Sequence, residues 1–195
     1  MNVTLLTSHH AFSDMVRFAT LAALTCHDNT DKDVDSKELL LRIIKLGHES
    51  ILEHINLTYS IKGISRAVLQ QLARHRHISL SVESTRHTLR KKLDADNSPI
   101  DEIPEHFKDW AIMFDAFALD FPDMPNDELK YYLPEFWPTN LILTSNVREL
   151  RHILKLRTHP SALMEFRKLG VELFSRVPDE FKYLLEDCVF IGGNL

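Results

Sequence analysis

Three arginines, three histidines and three serines fall within the fourteen residues from Arg74 to His87. Arg74, His75, Arg76 and His77 come first, then Ser79, Ser81 and Ser84, and finally Thr85, Arg86 and His87. Guanidinium groups present a planar fork of donors suited to phosphate and carboxylate, and nearby hydroxyls add neutral donors to the same oxygens. A surface loop could carry that charge idly. Here the apolar run Ala67, Val68, Leu69, Leu72 and Ala73 leads straight into it, so the cations stand at the end of a packed element. The chemistry predicted for the stretch is an anion site, for a ligand that carries phosphate.

A second cation stands out on the segment after residue 140. At about 100° per residue, Asn146, Val147, Leu150, Ile153, Leu154 and Arg157 share one helical face. Arg157 lies near the middle of that apolar stripe, where a guanidinium is costly unless paired. Two readings stay open from the residues: a buried salt bridge to an acid of another element, or a ligand contact. Ser84 could be a nucleophile, with His87 or His75 as base, but no G-x-S-x-G turn surrounds it. The eleven histidines invite a metal reading. His48-Glu49 starts like H-E-x-x-H, yet Leu52 holds the second histidine's place, and Arg74, Arg76 and Arg86 would repel a divalent ion. No metal is expected.

The elements that must position these groups follow from periodicity. Residues 2–7 read as a short strand, and apolar spacing from Ser13 onward as a helix with Ser13 at its N-cap. Residues 27–32 form a loop. A second helix opens at Asp35/Ser36 and ends at Gly47. Residues 54–62 alternate as a half-buried strand, Gly63 turns the chain, and residues 65–74 form the helix that delivers Gln71 and Arg74. Residues 78–85 are extended, residues 90–97 charged and solvated, and Pro99 and Pro104 mark a connector. Residues 105–121 carry Phe107, Trp110, Ala111, Phe114, Phe117, Ala118 and Phe121 at helical spacing, a stripe read as core. A short helix from Pro125 carries Lys130 and stops at Pro134, and helices at about 140–157, 160–176 and 178–188 complete the chain.

The fold class expected is α+β: a small, mostly antiparallel sheet packed with several helices. A length of 195 residues suits one domain, residues 1–195, with a core of its own. With 44% hydrophobic and 26% charged residues, the composition is that of a soluble globular protein, and a net charge of −5 argues against a general polyanion binder. Cys26 and Cys188 form no C-x-x-C and read as free thiols in a reducing cytoplasm. No stretch reads as a signal peptide or approaches the ~20 apolar residues of a membrane span.

Arg74-His75-Arg76, seven residues, then Ser84 resembles the R-H-R-x7-S signature of the flavin-dependent thymidylate synthases (ThyX). Three further blocks fall in register with that family. They are His48-Glu49-Ser50-Ile51-Leu52-Glu53-His54, then Gly63-Ile64-Ser65-Arg66 with Gln71, and Asn146-Val147-Arg148-Glu149-Leu150 through Leu156-Arg157. The resemblance covers roughly residues 40–90 and 126–170. It implies methylation of dUMP to dTMP, with 5,10-methylenetetrahydrofolate as carbon donor and NADPH-reduced FAD as hydride source.

Carried over position by position, the resemblance implies FAD contacts at Ser50, Arg74, His75, Arg76, Asn146, Arg148 and His152, with His48 and His54 nearby. It implies dUMP contacts at Gln71, Arg74, Ser84, Thr85, Arg86, Lys130 and Arg157, with Arg157 the catalytic activator that helps ionise the pyrimidine. It also implies a homotetramer whose subunits share their active sites. Ser81-Val82 stands where the family commonly has Asn-Glu, His87 where it has tyrosine, Lys130 arginine and His152 asparagine. Lys130 keeps the charge without the bidentate fork. The rival expectation is a non-catalytic nucleic-acid-binding module using residues 74–92, which hold nine Lys, Arg and His side chains. Against it, that span contains no Phe, Tyr or Trp on which bases could stack.

Overall fold

The computed structural model describes residues 1–93 and 103–192. Four strands, β1 (Asn2–Leu5), β2 (Asn56–Ser65), β3 (Ile78–Val82) and β4 (Pro138–Asn146), form one antiparallel sheet in the order β1-β2-β4-β3. Eight α-helices accompany them among the described residues: α1 (His9–Thr25), α2 (Ser36–Lys45), α3 (Arg66–Leu72), α4 (Thr85–Leu93), α5 (Lys108–Asp120), α6 (Asn126–Leu129), α7 (Val147–Arg157) and α8 (Met164–Ser175). This is the α+β class expected. No helix among the described residues is long and apolar enough to cross a membrane.

Local chemistry accounts for most boundaries. Asp35 caps α2 by accepting from Glu38 N at 2.8 Å, and Gly47 just beyond the helix takes φ +74°, which a residue without Cβ adopts freely. Ser65 caps α3 and Asn146 caps α7 in the same way. Four expectations shift. The N-cap of α1 is Ser8, not Ser13, whose hydroxyl donates to His9 O inside the helix. Gly63 does not turn the chain; it lies within β2 at φ +70°, its N–H taken by the Asn140 side chain at 3.0 Å. Residues 140–146, read as the start of a helix, belong to strand β4, and residues 178–188 form two short 3-10 helices, Asp179–Leu184 and Glu186–Cys188.

Contacts divide the chain into two compact units. In the first (residues 1–2, 61–74 and 81–141), Leu89, Ile103, Ala111, Phe114, Ala118, Leu129 and Trp137 pack together. Phe114 meets Trp137 edge-on at 5.3 Å, and Phe107 stacks on Phe136 at 4.4 Å. The aromatic stripe of α5 is only partly core: Trp110 and Phe121 are exposed. Arg90, expected in a solvated run, lies on helix α4 and donates to Ala118 O (3.2 Å), Phe121 O (2.7 Å) and Met124 O (2.6 Å). It thereby adds a donor to Ala118 O and Phe121 O at the end of α5, where helical partners run out, and to Met124 O in the turn that follows. Residues 94–97 and Pro99, also placed in that run and connector, lie outside the described residues.

In the second unit (residues 3–60, 75–80 and 142–195), α1, α2, α7 and α8 enclose Phe12, Leu40, Leu52, Leu57, Tyr59, Leu150, Leu154, Phe166 and Leu169, all without exposed surface. Phe12 stacks on Phe181 at 4.2 Å. Cys188 is buried here, and burial pushes its thiol up to about 12. No more than one thiol should therefore react with a disulfide reagent in the native protein, and two after unfolding. Two rapid equivalents without denaturant would contradict the placement of Cys188.

Candidate active site

The expected residues form a cluster in each unit. In the first unit, Ser84 immediately precedes α4, and its carbonyl accepts from His87 N (3.0 Å) and Thr88 N (3.1 Å), so Ser84 and Thr85 stand at the start of a helix. Helix starts leave N–H groups without internal partners and favour anions. Arg86 and Lys130 converge on one carboxylate, Asp127, with Arg86 Nε at 2.6 Å and Lys130 Nζ at 3.7 Å from Oδ1. Asn126 donates to Arg86 O at 2.8 Å and ties the short helix α6 to α4. Both cations remain partly open to solvent.

A buried-side linkage sets this loop. Glu83 accepts from Lys92 Nζ and from Asn140 Nδ2, each at 2.8 Å, while Glu83 N donates to Asn140 O at 2.9 Å. Asn140 thus joins the residue before Ser84 to Gly63 of β2. Gln71 and Arg74 come from α3 and the turn after it, Gln71 half-buried and Arg74 exposed. Arg90 and Lys92 are engaged within the chain, which removes two of the cations on which the nucleic-acid reading relied.

In the second unit, Glu49, Glu53, His77, Asn146, Arg148, Glu149 and His152 line a cleft of about 540 Å³. It brings the upstream His48–His54 block against the start of α7. Arg148 pairs with Glu53 at 2.5 Å, and Arg151 reaches Glu49 at 3.1 Å. Ser50 is exposed between the two glutamates, and Arg76 is exposed with no acid partner among the described residues. Asn146 spends its side-chain oxygen on the α7 cap, which leaves the amide nitrogen as its donor.

His75 is buried, and both of its ring nitrogens are engaged. Nδ1 lies 2.9 Å from Glu149 Oε1, and Nε2 accepts from Arg157 Nε at 3.1 Å. Burial first, then the neighbouring Arg157, hold the imidazole below its ordinary range, against the pull of Glu149. His75, Glu149 and His152 come close enough for metal ligation, but the guanidinium on His75 Nε2 occupies a lone pair a metal would need and repels a cation. Arg157 itself is half-buried, its guanidinium carbon 5.0 Å from the Phe166 ring centroid.

The arginine buried in a salt bridge is another one. Arg151, 1% exposed, donates to both Asp187 oxygens (2.6 and 2.7 Å), to Leu184 O (2.6 Å) and to Glu49. Sequence reasoning gave no role to it, nor to Glu49, Glu53, Glu83, Asp127 or Asn140. Its signal was present: Arg151 lies about 40° around the helix from Val147, at the edge of the apolar face.

The family model described as "Thymidylate synthase complementing protein" matches residues 6–181. The chain belongs to the flavin-dependent thymidylate synthase family. It is 35% identical to the flavin-dependent thymidylate synthase of Campylobacter jejuni strain RM1221 over 208 aligned positions, covering 97% of this chain and 98% of the relative. The Wolinella succinogenes enzyme of that name is 38% identical over 182 positions, 84% of this chain and 89% of the relative. A Helicobacter pylori ThyX structure with FAD and dUMP matches at TM-score 0.82 and 31% identity, covering 97% of this chain and 99% of that one. Within this family, the match takes in both clusters.

Proposed function

We propose that this chain, one domain over residues 1–195, makes dTMP from dUMP, with FAD in the cleft beside α7, a nucleotide phosphate held by the Arg86–Lys130 cluster and a uracil ring met by Arg157, these contacts being shared among the subunits of a homotetramer. A family match over residues 6–181 and a fold shared with a ThyX structure holding FAD and dUMP support this reading. The observation that carries it is Arg157, a half-buried guanidinium whose Nε meets a neutral imidazole. Brought against uracil, that charge stabilises the ring's anion, and the electron density so gained activates the carbon that receives the methylene.

The residues present fit FAD by the chemistry of their donors. Arg76, Arg148, His77 and His152 supply exposed cationic or hydrogen-bonding groups suited to a pyrophosphate, with Ser50 and Asn146 as neutral donors. The His75 side chain is committed inside the protein, so its contact with FAD comes from the main chain. Bound FAD, reduced by NADPH, supplies the hydride, and 5,10-methylenetetrahydrofolate supplies the carbon. Arg86 and Lys130 neutralise the nucleotide phosphate in exchange for their shared carboxylate, and Ser84 and Thr85 add donors at the start of α4.

Exposed Phe18, Leu21, Ile112, Met113 and Leu119 support assembly into a homotetramer with shared active sites, because apolar side chains in such numbers favour burial against another surface. The absence of a membrane-crossing helix among the described residues fits a cytoplasmic enzyme.

The visible spectrum of purified protein with FAD, and then dUMP, tests the reading. A bound-flavin spectrum that dUMP perturbs is expected; a protein that ignores both ligands contradicts it. Ser84→Ala should raise KM for dUMP several-fold, in line with one lost hydrogen bond of about 1 kcal/mol, while turnover remains measurable. Complete loss of turnover with nucleotide binding intact would restore the nucleophile reading.

A further inference from the structure

We propose that Glu149 and His75 are positioning residues for Arg157, fixing the attitude in which its guanidinium meets the uracil ring. The inference rests on the nucleotide role of Arg157 given above. Ionised Glu149 accepts only, so the His75 nitrogen 2.9 Å away, Nδ1, carries the hydrogen. In the neutral ring Nε2 is then an acceptor, and it faces Arg157 Nε–H, which can only donate. Each link demands the next, and the tautomer follows.

The arrangement solves a spacing problem. Glu149 and Arg157 both lie on α7, eight residues and about 12 Å of helix rise apart, and the imidazole from outside the helix spans the gap. Arg157 is held through Nε, the nitrogen next to its aliphatic stem, and lies over the Phe166 ring. His75 and Glu149 are closed off, with side chains 4% and 11% exposed, so water does not compete for the links.

Acid should undo the relay. Protonation turns Nε2 into a donor facing a donor and sets two cations against each other. The groups that face the ring are Glu149, His152 and Arg157 of α7 and the uncharged Phe166 of α8.

Wild type, His75→Phe, His75→Gln and Glu149→Gln are compared as FAD-loaded enzymes for kcat, KM for dUMP, flavin spectrum and melting temperature. His75→Phe should lower kcat about 100-fold with KM for dUMP and the flavin spectrum nearly unchanged, the size of effect a misplaced group produces. The amide oxygen of His75→Gln reaches toward the Nε2 position and should restore about ten-fold of that loss, with the acid limb of kcat that wild type shows now absent. Unchanged kcat in His75→Phe, or the same acid limb in His75→Gln, overturns the relay. So does a loss of flavin or folding that parallels the loss of activity in all three variants.

One readout does not depend on turnover. Proton–nitrogen spectra of the ligand-free protein should show His75 protonated at Nδ1, with an Nε2 signal that moves in Arg157→Ala. An Nε2-protonated ring overturns the relay whatever the enzyme makes. If wild type makes no dTMP while the spectra agree, the proposed function fails and the hydrogen-bonded chain stands.

Discussion

Arg151→Met should lower stability by about 3 kcal/mol, and melting by roughly 6–12 °C for a chain of this size. Arg151 is enclosed where the 3-10 segments Glu49–His54, Asp179–Leu184 and Glu186–Cys188 meet α7, and it supplies donors to two acids and a backbone carbonyl. Methionine fills much of the volume but leaves Leu184 O without its donor. The loss belongs at the lower end for a broken buried pair because Asp187 and Glu49 retain 50% and 24% side-chain exposure and can rehydrate. Arg151→Lys should fall between, keeping the charge without the fork that spans Asp187. Burial would raise the Asp187 carboxyl, but the bonds from Arg151 outweigh it and hold it below its ordinary value. Its stabilisation is thus present above about pH 4 and lost as pH falls through the folded value, so wild type and Arg151→Met should converge in melting temperature on acidification. A difference under about 2 °C at neutral pH would contradict the account.

The same residue shows where the sequence stops being legible. Helical periodicity placed Arg157 near the middle of an apolar face and left Arg151 out of that face, yet Arg157 is half-buried and Arg151 enclosed. Which edge of a helix is covered depends on elements distant in the chain, here residues 49–54 and 179–188. Strand β4 was hidden for a different reason. Its inward positions are Thr139, Leu141, Leu143 and Ser145, so half of the buried face carries hydroxyls and the alternation of apolar residues shrinks to two positions. The cations of the site were visible because their types and spacing are unusual. Their partners Glu53, Glu83, Asp127 and Asn140 are ordinary surface residue types, and only the fold brings them to Arg148, Lys92, Arg86 and Gly63. Arg90 was read as solvated because a single charged residue in a charged run gives no sign of the three carbonyls waiting for it.

Arg157→Ala should lower kcat by about 10²–10³-fold while the flavin spectrum persists, the loss that follows removal of one preorganised group stabilising developing charge. The FAD donors at Arg76, Arg148 and His152 are separate side chains and remain in place. Truncation also removes the stem packed on Phe166 and leaves His75 Nε2 without its donor, so some stability is lost as well. Activity must therefore be measured well below the melting temperature. Arg157→Lys keeps a cation but loses the planar guanidinium and the Nε link to His75, and should recover less than ten-fold of the lost rate. Because the arginine acts by favouring the uracil anion, hydroxide can do part of its work. The ratio of Arg157→Ala to wild-type activity should rise as pH is raised, while for a residue that merely shapes the pocket it would stay flat. Full activity in Arg157→Ala, or a pH-independent ratio, would remove Arg157 from the chemistry and leave the ionisation of the pyrimidine to some other group.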